Sequence, residues 1–401
     1  MTAKSMMPYV EGNSAIRAMF EEGARLAAQF GRENVYDFSL GNPSVPAPPE
    51  VNQAIKDIVD EEDTLLIHGY NQSNSGYEDV RQTVADHLNR LHGTAFTSAN
   101  IVMTVGAASG LNVAIKTFVD PGEEILAFAP YFVEYGKYAA NHGSVLNAVP
   151  ADTDTFQPNL AELEKMISAR TRAVIINSPN NPTGVIYSEE TLTKLASILK
   201  AKSEEFGAPI YIIADEPYRE LAYDGAHVPY VTKFYDNTIV GYSWSKSLSL
   251  PGERIGYLVI PSEIEDFENA AAAANIANRV LGYVNAPSLI QRVVARCIDC
   301  STDVAAYDRN RTDLYEGLTK LGYECTKPEG AFYLFVKSPI DDDAEFCNIA
   351  KKYNILMVPG KSFACSGYVR LAYCVSHDTI INSLPAFAKL MDEIKSMQID
   401  K

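Results

Sequence analysis

The chain has 401 residues, 47% of them hydrophobic, enough for a sizeable core and more than one domain of ordinary size, so two domains are expected. Its 51 Asp and Glu against 34 Lys and Arg leave a formal charge of −17, which argues against a nucleic-acid backbone or an anionic membrane as the main partner, because both require clustered cations. No apolar run reaches the roughly 18 to 20 residues of a membrane helix, and MTAKSMMPYV lacks the apolar core of a secretory signal, so a soluble, cytoplasmic protein is expected.

In chain order, the first expected element is the helix AIRAMFEEGARLAAQF, followed by the loop SLGNPSVPAPPE, which Pro46, Pro48 and Pro49 make stiff and extended. From about residue 100 to 260, short apolar runs alternate with helical segments, the pattern of a mainly parallel sheet covered by helices. The expected strands are IVMTV, EEILAFA, RAVIINS, PIYIIAD, NTIVGYS and RIGYLVI. After about residue 300 the order changes to a long helix near Thr302 to Gly322, a strand in GAFYLFV, a short helix, strands at ILMVP and YVRLAYC, and a last helix from about Ile380. This reads as a smaller α+β domain. The expected division is an N-terminal arm and helix (1–45) contributing to the small domain, a large domain (46–285) and the small C-terminal domain (286–401).

Ligands of such sheets bind at the carboxyl ends of the strands. Three strands here end in chemically loaded sequence: RAVIINS runs into PNNPTG, PIYIIA into DEPYRE, and NTIVGYS into WSKSLSLPGER. Taken singly, these are a turn, a helix cap at Asp215 and a loop lysine at Lys246. Together they converge on one place. An amine that forms an imine must be deprotonated, which requires desolvation or nearby cations such as Arg254. A strand-end carboxylate can hold a proton on a heterocyclic nitrogen. Between IVMTV and GLNVAIKTFV, the segment TVGAASG places a helix N-terminus at the sheet's carboxyl edge, where Ser243, Ser245 and Arg254 would complete a phosphate cradle.

SWSKSLSLPGERIGY resembles the lysine signature of the class I/II aminotransferases, fold type I pyridoxal phosphate enzymes, and NSPNNPTG, ADEPY and TVGAASG are similar to that family's other motifs, in the same order. The resemblance, closest in kind to aspartate aminotransferases, runs from SLGNP through YVRLAYC. It implies an α/β large domain with a mainly parallel seven-stranded sheet between helices, and pyridoxal 5′-phosphate bound as an imine of Lys246. It further implies that Lys246 moves the proton at the substrate Cα, that Asp215 holds the pyridine nitrogen, and that Tyr218 and Asn181 bond the phenolic oxygen. Phe132 would stack on the ring; on spacing alone it is equally a core aromatic. Gly106, Ala107 and Ala108 would offer backbone N–H groups to the phosphate. Tyr70 resembles the tyrosine lent by a partner subunit, which implies a homodimer with shared sites. Arg370, beside Gly41 and Asn181, would clamp the substrate carboxylate.

Two features bear on substrate. Some aspartate-specific relatives carry a lysine where this chain has Ala108, and others an arginine before an Asn-Pro-type turn, near which Arg279 stands one residue off. Aspartate is therefore one candidate among amino-acid donors, with a 2-oxo acid such as 2-oxoglutarate as acceptor. The alternatives are a cystathionine β-lyase-like elimination in the same site and, further off, a dinucleotide-dependent oxidoreductase suggested by TVGAASG, whose glycine pattern is incomplete. Cys297 and Cys300 in CIDC lack the matched ligands of a zinc site, and the six histidines show no HExxH spacing, so no metal is expected.

Overall fold

All six apolar runs of the first 260 residues form strands in a computed structural model that describes residues 2–11 and 15–399. Among the described residues the strands are β1 (Tyr36–Asp37), β2 (Ile101–Thr104), β3 (Glu124–Phe128), β4 (Val145–Val149), β5 (Thr171–Asn177), β6 (Tyr211–Asp215), β7 (Thr238–Ser243), β8 (Gly256–Val259), β9 (Tyr333–Lys337), β10 (Ile355–Leu356), β11 (Val358–Pro359) and β12 (Tyr368–Ala372). Seven of them make one sheet in the order β2-β8-β7-β6-β5-β3-β4. Only β8 runs antiparallel to its neighbours.

Residues of these strands alternate between two cores, as the period of two requires. Ile101 and Met103, Leu126 and Phe128, and Ile212 and Ala214 face one cluster, while Val102, Ile125, Ala127 and Ile213 face the other. Helices therefore cover both faces, and the strands read as continuous apolar runs. The sequence pattern did not reveal the two-residue β1 outside this sheet, and the strand of the sheet itself that it did not reveal is β4. It is the sheet's edge, with Asn147 at its centre and Val145 half exposed, so it lacks the apolar run that marks its neighbours.

A second core is built on the antiparallel sheet β11-β12-β9, with Tyr307, Leu314 and Leu318 of the helix Val304–Lys320 and Ile380, Phe387 and Leu390 of the helix His377–Ile399 packed against it. The run ILMVP, expected as one strand, is two: β10 pairs with β1 in parallel, and β11 pairs with β12. Through β1 and Phe38 the N-terminal segment joins this core. The helix Ser288–Arg296 instead places Ile290, Val293 and Val294 in the core of the large sheet. We therefore propose a junction between the two units near residue 300, in place of the 285 read from the sequence.

Candidate active site

Three neighbouring strands of the large sheet end side by side, with Asn177 of β5 in register with Asp215 of β6, and Asp215 with Gly241 of β7. Ser243 closes β7 and caps the one-turn helix Trp244–Ser247, its Oγ accepting from the Ser245 N–H at 3.2 Å. That turn carries Lys246, and Thr302 N–H donates to the Ser247 carbonyl at 2.9 Å, tying the lysine loop to the junction between the units. The loop ends at Arg254, whose φ of +53° turns the chain back into β8.

A cleft of about 390 Å³ opens here, lined from the large sheet by Ala107, Ala108, Phe132, Asn181, Asp215, Tyr218, Ser243, Ser245, Lys246 and Arg254, from the N-terminal loop by Gly41, and from the second core by Arg370. Gly106 stands just behind as the residue before the helix Ala107–Phe118. Its φ of +81° suits glycine, and a Cβ there would lie 2.6 Å from Arg254 Nη2. The helix therefore presents its first N–H groups beside a guanidinium and two serine hydroxyls. This is a seat for an anion.

Lys246 Nζ donates to the Gly41 carbonyl at 2.7 Å. Burial depresses its amine to about 8, with the charges of Arg370 and Arg254 adding to the depression. Asp215 is buried; its Oδ2 accepts from Tyr135 Oη at 2.6 Å, and its Oδ1 has no partner. Burial pushes this carboxyl up to about 7, against the lowering effect of the Tyr135 bond. Arg370 is buried as well. It donates from Nη1 to Asn181 Oδ1 at 3.1 Å and from Nη2 to the Ser39 carbonyl at 2.6 Å, and its Nε is unpartnered.

Twelve of the fourteen candidate residues thus line one cleft, and Gly106 adjoins it. The exception is Tyr70, 90% exposed and away from the cleft of its own chain. Arg279 is exposed near the end of the helix Phe267–Val280 and does not line the cleft either. Sequence reasoning missed Tyr135, Tyr333 and Asn177. Tyr135 lies in the PYFVEY run that supplied Phe132, and Tyr333 in GAFYLFV; both read as core aromatics, which the helical and strand periodicity alone favours. Asn177 is the last residue of β5, and its amide donates to the Asp215 carbonyl at 2.7 Å, fixing one strand end against the next.

The model of the family described as "Aminotransferase class I and II" matches residues 33–385. The chain belongs to this family. An amino transferase of solved structure from Eubacterium rectale superposes with a TM-score of 0.96 at 50% identity, covering 98% of this chain and 99% of its own. The aspartate aminotransferase of Thermotoga maritima is 31% identical over 88% of this chain and 90% of its own length. The Thermus thermophilus aspartate aminotransferase solved with maleate superposes with a TM-score of 0.83 at 26% identity, over 94% and 96% of the two chains. The chain is accordingly an aminotransferase of fold type I, the family whose members transfer amino groups between amino acids and 2-oxo acids using pyridoxal phosphate. TVGAASG forms the strand, turn and helix expected of it, and the match assigns that turn to the aminotransferase fold rather than to a dinucleotide site.

Proposed function

We propose that this cleft holds pyridoxal 5′-phosphate and moves an amino group between an L-amino acid, with aspartate one candidate, and a 2-oxo acid such as 2-oxoglutarate. The observation that carries the reading is Asp215 Oδ1, a buried acceptor without a partner on a carboxyl that lines the same cleft as a neutralisable lysine. A protonated pyridine nitrogen would satisfy that oxygen and reverse the cost of burying its charge. When bound, the cofactor supplies an electron sink for the bond broken at the substrate Cα.

Lys246 is then the covalent anchor and the base that takes and returns the Cα proton at Nζ, its amine made available near neutrality by burial. Tyr218 and the amide of Asn181 hydrogen-bond the cofactor's phenolic oxygen. Phe132 stacks on its ring. Gly106, Ala107 and Ala108 offer backbone, with Ser243, Ser245 and Arg254, to its phosphate. Arg370 clamps the substrate carboxylate, oriented by Asn181, with the Gly41 loop closing one side.

Tyr70 completes the phosphate cradle from a second copy, so the working unit is a homodimer, and the enzyme acts in the cytoplasm. The exposed Leu65, Leu66 and Val280 support a covered surface of this kind, as does the 90% exposure of Tyr70 itself. β-Elimination in the same cleft is separated by its products, pyruvate and ammonia formed without a 2-oxo acceptor.

The test is the absorbance of the purified protein during addition of aspartate, glutamate, alanine, tyrosine and cystathionine in turn. A visible band that an amino acid converts to a near-ultraviolet one, and a 2-oxo acid restores, is expected. No visible band after addition of pyridoxal phosphate would overturn the reading. Mixing inactive Tyr70→Phe and Lys246→Ala chains should restore activity; no recovery with subunit exchange confirmed would remove the shared site.

A further inference from the structure

Tyr333 lines the cleft and has no part in the assignments above. It lies on β9, opposite Ala372 of β12 and so two residues along from Arg370, and it is buried. Its hydroxyl is 2.9 Å from Tyr218 Oη. The Arg370 guanidinium carbon stands 4.6 Å from the centre of its ring. A Cβ at residue 41 would lie 2.1 Å from its Oη, so the hydroxyl occupies space that Gly41 leaves open. Three residues with separate duties, on the cofactor, the substrate carboxylate and the lysine, therefore meet on one side chain.

The direction of the hydrogen bond between the two phenols follows from counting protons. Each hydroxyl has one. If Tyr218 gives its proton to the cofactor's phenolic oxygen, Tyr333 must be the donor to Tyr218. Arg370 favours this direction, because a cation over the ring face draws density from the phenol and makes it the better donor. Burial raises both hydroxyls, Tyr333 to about 12 and Tyr218 well above its ordinary value, with the Arg370 charge opposing the rise at each.

We propose that Tyr333 is a positioning residue that relays the charge at Arg370 to Tyr218, so that a substrate carboxylate arriving at Arg370 is felt at the lysine end of the cleft. The carboxylate neutralises Arg370, Tyr333 becomes a weaker donor, and Tyr218 in turn gives less to the phenolic oxygen. That oxygen then holds the neighbouring proton on the Lys246 nitrogen more tightly. The relay rests on the assignment of Lys246, Tyr218 and Arg370 made under the proposed function.

The experiment compares holoenzyme and its Tyr333→Phe variant by the pH midpoint of the visible absorption, with and without saturating maleate or 3-phenylpropionate as unreactive carboxylate probes. In the wild-type chain a carboxylate should raise the midpoint. In the variant the midpoint without probe should be higher, and the probe-induced rise smaller by about half a pH unit or more, roughly threefold in the proton equilibrium. An equal rise in both proteins, or none in the wild type with either probe shown to bind, would overturn the relay. A visible band whose pH midpoint and response to carboxylate both survive Lys246→Ala would overturn the underlying assignment instead. Phenylalanine keeps the ring against Arg370, and a thermal melt of the variant separates simple loss of packing, which would lower stability without altering the response to carboxylate.

Discussion

Replacing Asp215 by Asn in the protein freed of cofactor should stabilise it, and more so at higher pH. The carboxyl titrates near 7 when folded and at 3.8 in its ordinary state. Because the folded value is the higher one, the unfolded chain releases this proton first. The penalty is absent below about pH 4, grows between the two values and is complete above 7. At 1.36 kcal/mol per pH unit it amounts to ~2 kcal/mol at pH 5 and ~4 kcal/mol at pH 8. An unfolding entropy of about 2.1 cal/mol/K per residue gives ~0.8 kcal/mol/K for a chain of this length, so the full effect is ~5 °C in Tm and the pH-dependent part ~3 °C. Differential scanning fluorimetry of both apoproteins from pH 5 to 8 measures it. A variant whose advantage did not grow across that range would refute the assignment of the penalty to Asp215. Adding pyridoxal phosphate should reverse the order, because only the carboxylate can pair with a protonated ring nitrogen.

Lys246→Ala should lower amino transfer roughly 10³-fold or more in a coupled assay; a smaller loss would remove the lysine from the proton transfer. With its amine depressed to about 8, the wild-type apoprotein should capture pyridoxal phosphate at a rate that rises with pH and levels off just above 8, well below the ~10.4 of an ordinary lysine, in stopped-flow absorbance. Gly106→Ala forces a side chain into a φ of +81° and toward Arg254, and should weaken cofactor binding about 10- to 100-fold in a fluorescence titration, the ~1–3 kcal/mol of backbone strain and a displaced charged contact. Arg370→Lys loses the planar fork and should raise KM for the amino acid about tenfold or more while changing kcat less, as read from steady-state kinetics.

Most of the large sheet was legible because its central strands are buried on both faces: IVMTV, RAVIINS and PIYIIAD have apolar centres, and the loaded residues fall at their ends. What lay outside the pattern follows from pairing at a distance. The edge strand β4 is half exposed and has a polar centre at Asn147. The helix Ser288–Arg296 packs with helix Pro49–Glu61 across more than two hundred residues of sequence, a pairing that local composition does not show and on which the proposed junction near residue 300 rests. Lys246 and Asp215 stood out as charges at or just past the ends of apolar strands, and Arg370 as a charge inside the apolar run YVRLAYC. Tyr135 and Tyr333 did not, because a phenol is at home in a core and its single hydrogen bond is invisible until the fold brings the partner to it. Tyr70 is a different case, since an exposed aromatic gains meaning only from a surface that another copy would supply.

On the proposed reading, the cleft would also account for how so acidic a chain could host an anionic cofactor and substrate. Its cations, Lys246, Arg254 and Arg370, come from the single connection between β7 and β8 and from a strand of the second core, and among the described residues Asp215 and Glu134 are the acidic side chains that line the wall with them. Glu134 is paired with Lys137 at 2.8 Å, which partly offsets its charge. Two buried polar atoms in this wall remain unpartnered, Asp215 Oδ1 and Arg370 Nε, the first an acceptor on the large sheet and the second a donor on β12. Each costs about 1–3 kcal/mol in the free protein. A ligand that is cationic where it meets the sheet and anionic where it meets β12 recovers both costs at once, whereas one matching a single end recovers one. On the proposed reading these unpartnered atoms are a means of selection: they would reward a ring whose nitrogen meets Asp215 and an amino acid whose carboxylate meets Arg370, a pairing that would bring the Cα toward the Lys246 amine.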